Sequence, residues 1–166
     1  MVEKDVIIKE KLDHSGVFSF SEFYEYAHSW FKNELYGVVE EKYSEKVSDK
    51  GRDIDIEWRA MKKVSDYFKL EHTIKMNIKG LIDVEVEIGG KRKKMNKGSI
   101  AMEIKGILVK DWESKWDTNA FFRMLREVYN KYIIPGRVDA MEDKVMDDVR
   151  TFKEEIKAFL ELTGKR

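Results

Sequence analysis

The strongest constraint in this sequence is a strict alternation of apolar and charged residues. Within Asp53–Ala60, apolar side chains occupy every even position and charged side chains every odd one. The even positions of Phe68–Ile88 and Ile100–Leu108 continue this pattern. Because successive side chains of a strand point to opposite faces, the period of two predicts a sheet with one apolar and one charged face. We therefore predict that the even-numbered side chains from Ile54 to Leu108 share one buried face.

Gly80 interrupts the longest of these segments without changing its parity. A two-residue hairpin loop would switch the parity of the inward positions, whereas an odd-length loop or a bend within one long strand would keep it. Glycine suits either geometry, since it tolerates positive φ and marks bulges. One strand over all of Phe68–Ile88 would far exceed the usual length of about 5–6 residues. We therefore predict an odd-length hairpin at Gly80.

The N-terminal third predicts a strand followed by a helix. Val6–Leu12 is the strand, and Asp13–Gly16 has the composition of a turn. Ser19 followed three residues later by Glu22 is the signature of a capping box. Apolar residues at spacings of three and four then predict a helix that fades near Glu45.

The C-terminal third predicts two helices, Thr118–Ile134 and Val138–Leu162, separated by Pro135 and Gly136. The second helix carries a narrow apolar seam. Its seam residues are Val138, Met141, Val145, Val149, Phe152, Ile156 and Phe159. The predicted order is β-α-β-β-β-β-α-α. It indicates one α+β domain over residues 1–166, a two-layer sandwich in which three helices cover one face of an antiparallel sheet of about five strands.

Composition excludes several classes of function. The chain has 166 residues and no cysteine, so thiol catalysis, disulfides and Cys-ligated metal centres are ruled out. The three histidines have no metal-ligand spacing, and we expect no metal, cofactor or catalytic residue. Lys+Arg and Asp+Glu are both 32, so nucleic acid is not an expected partner. No apolar run reaches the ~20 residues of a membrane span, and we expect a cytoplasmic protein.

Four residues are candidates for binding a small apolar ligand. His72 is the one ionisable side chain on the apolar strand face, and Gly106 leaves a small spot among large residues. Tyr24 and Tyr129 lie on the predicted helices above them and could act as polar anchors. The alternative for His72 is a buried histidine satisfied by one hydrogen bond, for instance from a helix tyrosine.

The strand–helix order and the long closing helix Val138–Leu162 resemble the helix-grip, START-like lipid-binding proteins, in which a curved sheet grips a C-terminal helix. The resemblance implies an apolar cavity between sheet and helices. The chain departs from that family in having about five strands and two long C-terminal helices.

A second set of candidates could bind an anion or a protein partner. Gly89–Gly98 is predicted as a basic loop between two strands, and Trp112 and Trp116 follow the last strand. The basic residues of the loop are Lys91, Arg92, Lys93, Lys94 and Lys97. The alternatives are a solvated loop and two tryptophans that close the core. With the seam of the last helix, these features favour a non-enzymatic module that binds a protein partner or forms a homodimer. A small-molecule or lipid-binding protein is the second hypothesis.

Overall fold

A computed structural model describes residues 2–112, 120–128, 131 and 135–164. The elements are β1 (Glu3–Phe18), α1 (Phe20–Asn33), β2 (Gly37–Ser48), β3 (Gly51–Lys63), β4 (Phe68–Ile88), β5 (Lys91–Lys110), α2 (Ala120–Val128) and α3 (Pro135–Gly164). The five strands form one antiparallel sheet in the order β1-β5-β4-β3-β2. The predicted α+β class, strand number and order of elements are confirmed. No helix in the described part of the chain has the length and apolarity to cross a bilayer.

The predicted alternation holds over most of the sheet. The even-numbered residues within Ile54–Ala60, Phe68–Ile78 and Ile100–Leu108 are buried, whereas Asp55 and Lys75 are exposed. Glu71 departs from the pattern: it is 3% exposed although it lies on the charged face. Its carboxylate lies 3.5 Å from the ammonium group of Lys4.

The predicted hairpin at Gly80 is wrong, because Phe68–Ile88 is one continuous strand. The extra residue is absorbed by a β-bulge between Lys79 and Ile82, where Gly80 adopts a φ of 63°. After the bulge Leu81 is buried and Ile82 is 42% exposed, so the parity prediction fails there. The hairpin that joins β4 to β5 turns instead at Gly89–Gly90, where both residues have positive φ, as a type I′ turn requires.

Helix α1 begins as predicted and ends earlier. The Ser19 hydroxyl accepts a hydrogen bond from the backbone N–H of Glu22 at 3.4 Å. The helix stops at Asn33, and the predicted extension toward Glu45 is wrong because Gly37–Ser48 forms strand β2.

Strand β1 is longer than predicted. The predicted turn Asp13–Gly16 is wrong, since these residues continue the strand and Gly16 pairs with Gly98 of β5. A register shift between Val6 and Ile8 leaves Val6 60% exposed. The backbone N–H and C=O groups of these residues are satisfied by pairing with β5, so no local turn is required.

Helix α3 lies on the apolar face of the sheet and contacts β1, β5 and β4. Its buried apolar residues are Val145, Val149, Phe152, Ile156 and Leu160. They follow the predicted seam, except that Leu160 is buried where Phe159 is only partly so. The described part of the predicted helix Thr118–Ile134 is α2, and Trp116 and Tyr129 lie outside the described residues.

Candidate functional site

The end of α1 places an exposed leucine in a left-handed backbone conformation. The N–H of Tyr36 donates to the carbonyl of Phe31 at 2.9 Å, and the N–H of Leu35 donates to the carbonyl of Lys32 at 3.0 Å. These two bonds define a Schellman motif, and the rings of Tyr36 and Phe31 make its usual apolar contact. Leu35 occupies the position that normally requires glycine: its φ is 66° and its side chain is 77% exposed.

Leu35 forms one wall of an open groove of about 540 Å³, which we call the Leu35 groove. The lining residues are Leu35, Gly37, Val38, Val39, Met61, Lys62, Lys63 and Lys69. Met61 and Lys63 alternate with the buried Ala60, so they lie on the sheet face that points away from α3. The groove lies beside β2, which is an edge strand.

Three lysines surround the apolar lining of this groove. The Lys62 ammonium group donates to the backbone carbonyl of Glu34 at 3.0 Å, and that of Lys63 lies 4.8 Å from the ring centroid of Trp112. Lys63 and Lys69 are direct cross-strand partners on the β3–β4 ladder. Within the described residues, none of the three lysines forms an ion pair with a carboxylate.

Elsewhere on the same face, several lysines have a carboxylate beside them. Lys9 and Lys105 face each other across the β1–β5 ladder, but Glu103 lies 3.6 Å from Lys9 and 3.9 Å from Lys105. Lys75 pairs across the sheet with Glu57 on one side and Glu103 on the other. The Arg59 guanidinium lies 3.1 Å from the Glu41 carboxylate. Like charges directly opposite each other destabilise a sheet, and among the described residues no carboxylate lies within ion-pair distance of Lys63 or Lys69 to offset their repulsion.

His72 lies in a buried polar chain that joins three elements. Its Nε2 is 2.9 Å from the Tyr36 hydroxyl, which donates to an Asp148 carboxylate oxygen at 2.5 Å. The other Asp148 oxygen accepts from the Lys144 ammonium group at 2.8 Å. Because the single hydroxyl proton is directed to Asp148, Nε2 of His72 must carry the proton that it donates to Tyr36. The Nδ1 atom then keeps a bare lone pair, with no partner among the described atoms.

Burial sets the protonation states along this chain. It lowers the pKa of His72 to about 4, which keeps the ring neutral near pH 7. Burial, and then the hydrogen bond to Asp148, raises the pKa of Tyr36 far above its usual value. The hydrogen bond to Asp148 raises the pKa of Lys144. With His72 only 1% exposed, the arrangement is suited to connecting α3 with the sheet.

Gly106 is the cross-strand neighbour of His72, so the structure brings these two predicted residues together. A Cβ atom at Gly106 would lie 2.5 Å from a Val145 methyl and 2.8 Å from a Val149 methyl. Helix α3 therefore fills the space beside Gly106 in which the resemblance implied a cavity. Ligand contact at His72 and Gly106 stays a prediction.

Tyr24 belongs to a different set of contacts, which joins α1 to β2 and β3. Its hydroxyl donates to the carboxylate of Glu40, which also accepts from the Trp58 indole N–H at 2.9 Å. Burial and this carboxylate raise the pKa of Tyr24 to about 12. Its ring packs edge-on against Trp58 at a centroid distance of 5.2 Å. No contact described for Tyr24 reaches His72, so the structure does not unite the predicted anchors.

The predicted basic loop is mostly strand. Lys91, Arg92, Lys93, Lys94 and Lys97 all lie on β5 beyond the Gly89–Gly90 turn. Arg92 lies 3.6 Å from Glu85, and Lys93 lies 3.3 Å from Glu22, so acidic side chains offset part of this charge.

Trp112 lies at the other end of β5, where its indole N–H donates to the Ser65 carbonyl at 2.7 Å. A 20-residue strand spans ~60 Å at ~3.3 Å per residue, so the predicted basic and tryptophan patches are separate. The stacking of Lys63 instead places Trp112 near the Leu35 groove.

Comparisons with known proteins do not identify this chain. No protein-family model matches it, and comparisons with curated proteins and with solved structures find no match. In the described ranges, no group of three His, Asp or Glu side chains is arranged to hold a metal ion. The function therefore has to be argued from the geometry of the chain itself.

Sequence reasoning did not find the Leu35 groove. Leu35 fits the helical spacing of α1, so the sequence pattern hides its place just after the helix. The pairing of Lys63 with Lys69 depends on the register of β3 and β4. Because both strands bury their even-numbered positions, cross-strand partners around this connection must share parity, which allows Lys63 to face Lys69.

Proposed function

We propose that the protein is a non-enzymatic binding module that takes a small apolar ligand in the Leu35 groove. The observation that carries this proposal is Leu35 itself. A residue with a Cβ atom loses about 1 kcal/mol or more of stability in the left-handed region. The Leu35 side chain is 77% exposed, so its burial offsets little of that loss. Residues that break a local rule at a stability cost are concentrated at functional sites.

The shape of the groove favours a small molecule over a protein as its occupant. Its volume of about 540 Å³ falls within the roughly 300–1,000 Å³ of small-ligand sites. The groove is concave and its apolar wall is formed by a few side chains. A stable protein interface needs a patch of roughly 800 Å² on each partner, which favours a small molecule as the occupant of this groove.

Replacing Leu35 with glycine separates stability from binding. We expect Leu35→Gly to raise the free energy of unfolding by about 1 kcal/mol, because glycine adopts positive φ without steric cost. We expect the same substitution to weaken the binding of 1-octanol about tenfold, since it removes an apolar wall. Urea unfolding measures the first effect, and backbone amide shifts during an octanol titration measure the second.

In the wild-type protein, the amide shifts should concentrate at Gly37–Val39 and Met61–Lys63. Val47→Ser is a matched control, because Val47 is a 76% exposed apolar residue of β2 outside the groove. Octanol binding that is unchanged by Leu35→Gly, or shifts centred on His72, would reject the Leu35 groove as the binding site.

Self-association is a second candidate function, and the exposed apolar face of α2 favours it. The middle of the α3 seam that suggested it, Val145 to Ile156, is buried in the core of the same chain. On α2, however, Phe121 is 59% exposed, Met124 53% and Val128 43%, which is unusual for an apolar helix face. A second copy of the chain would cover this face in a two-fold dimer.

Sedimentation equilibrium tests this candidate. We expect a mass that rises with concentration from 19.7 kDa toward twice that value, and Phe121→Ser should keep it at the lower value. A mass of 19.7 kDa at all concentrations up to the millimolar range would rule out self-association.

A further inference from the structure

We infer that the Leu35 groove selects amphiphiles with an anionic head, and that the head binds between Lys63 and Lys69. This inference rests on the proposed function, which supplies the apolar part of the ligand. It adds the sign of the head group and its position in the groove.

The first argument is the placement of charge. Lys63 and Lys69 face each other across the β3–β4 ladder, with no carboxylate paired to either among the described residues. An anion between the two ammonium groups would replace a repulsion with two attractions. On the same face Lys75 has Glu57 and Glu103 as cross-strand neighbours, so its positive charge is already balanced without a bound anion.

The second argument is the continuity of the charged and apolar parts. Met61 and Lys63 are next-but-one neighbours on β3, so their side chains lie side by side on one face, roughly 7 Å apart along the strand. Gly37 is the cross-strand partner of Met61 and has no side chain to cover it. A ligand with its head at Lys63 therefore extends its tail over Met61 and Gly37 toward Leu35 and Val39.

The other charged groups near the groove have partners of their own. Glu71, the cross-strand partner of Met61, is 3% exposed, and its carboxylate lies 3.5 Å from the Lys4 ammonium group. Lys62 directs its ammonium group to the Glu34 carbonyl and lies 5.4 Å from the ring centroid of Tyr36. Arg59, the next residue along this face of β3, is paired with Glu41. Among the described residues, the ammonium group of Lys63 contacts the Trp112 ring, and neither Lys63 nor Lys69 is paired with a carboxylate. These two lysines are therefore where the described part of the groove can bind an anionic head.

Three ligands with the same eight-carbon chain test the sign of the head group: octanoate, 1-octanol and octylammonium. We expect octanoate to bind about tenfold more tightly than octanol, and octylammonium to bind most weakly. Raising the salt concentration should weaken octanoate binding without changing octanol binding. Dissociation constants come from amide shifts of the full chain titrated below the micelle concentration of each amphiphile.

Two lysine variants test the position. Lys69→Gln should weaken octanoate binding about tenfold and octanol binding by less than about twofold, because octanol carries no charge. The matched control Lys75→Gln removes an exposed lysine of the same face and strand and should leave both unchanged. The free Lys69→Gln protein should be at least as stable as the wild type, since a like-charge pair has been removed.

The outcomes separate the two claims. Equal binding of octanoate and octanol, or equal losses of octanoate binding in Lys69→Gln and Lys75→Gln, would overturn this inference and leave the proposed function standing. If none of the three amphiphiles shifts the amides of the groove, both claims fall.

Discussion

Replacing Gly106 with valine is expected to lower the free energy of unfolding by about 3 kcal/mol, although valine is the better strand former. The reason is the approach of α3: even the first added carbon would lie 2.5 Å from Val145, 2.8 Å from Val149 and 3.0 Å from Ile8. Valine side chains in a helix have one strongly preferred rotamer, so they cannot turn away. The helix itself would have to move.

Gly37→Val is the matched control for this substitution. Gly37 also lies in a strand, but a Cβ there would meet just the Met61 carbonyl oxygen, at 3.8 Å. We expect a change within about 0.5 kcal/mol. Adding Val145→Ala to Gly106→Val should recover part of the loss, because the two positions share one space. Urea denaturation measures all three variants, and a Gly106→Val protein as stable as the wild type would contradict the close packing.

Acid should destabilise the protein through His72 well before most carboxylates titrate. The folded-state pKa of His72 is lowered by burial to about 4, whereas the unfolded chain has the ordinary value of 6.5. Between these two values the unfolded state binds a proton that the native state does not bind, so stability falls as the pH falls. The shift corresponds to a loss of about 3 kcal/mol that starts near pH 6.5 and is complete near pH 4.

His72→Gln tests this assignment. The glutamine amide can donate to the Tyr36 hydroxyl and does not titrate. The groups that face this position, Tyr36, Asp148 and Lys144, remain. We expect the two proteins to differ by a constant free energy above about pH 7 and to converge as the pH falls toward 4. Parallel stability curves between pH 4 and 7 would show that His72 does not cause the acid loss.

The fold was predictable where a pattern repeats and the local chemistry agrees with it. The period of two in β3, β4 and β5 and the helical spacing in α3 each had several turns or repeats to define them. The errors fall where the local pattern is weaker, as in Gly37–Ser48, which is a strand and not an extension of helix α1. Gly80 absorbs an extra residue in a bulge, and Leu35 ends a helix where glycine is expected. In both places strand pairing decides the outcome: β4 pairs with β5 around Gly80, and β2 pairs with β3 directly after Leu35. The local sequence does not show either pairing.

The candidate site was less predictable for the same reason. Tyr36 was not singled out although it satisfies His72, because it falls in the segment predicted as helix. The alternative interpretation of His72, a histidine held by a tyrosine hydroxyl, describes the observed contact. The facing of Lys63 and Lys69 depends on the register across the Val64–Tyr67 connection, and no single segment reveals it.

The strand order also determines when the sheet can be completed. Strands β2 to β5 pair with their neighbours in sequence, whereas Glu10 of β1 pairs with Ile104 of β5. On the ribosome, β1 therefore emerges long before its only neighbour exists, and joining them closes a long loop. We expect pulse-labelled amides of β3 and β4 to become protected early in refolding and those of β1 late, together with α3. Strand β1 would then complete a sheet in which β2 to β5 are already paired.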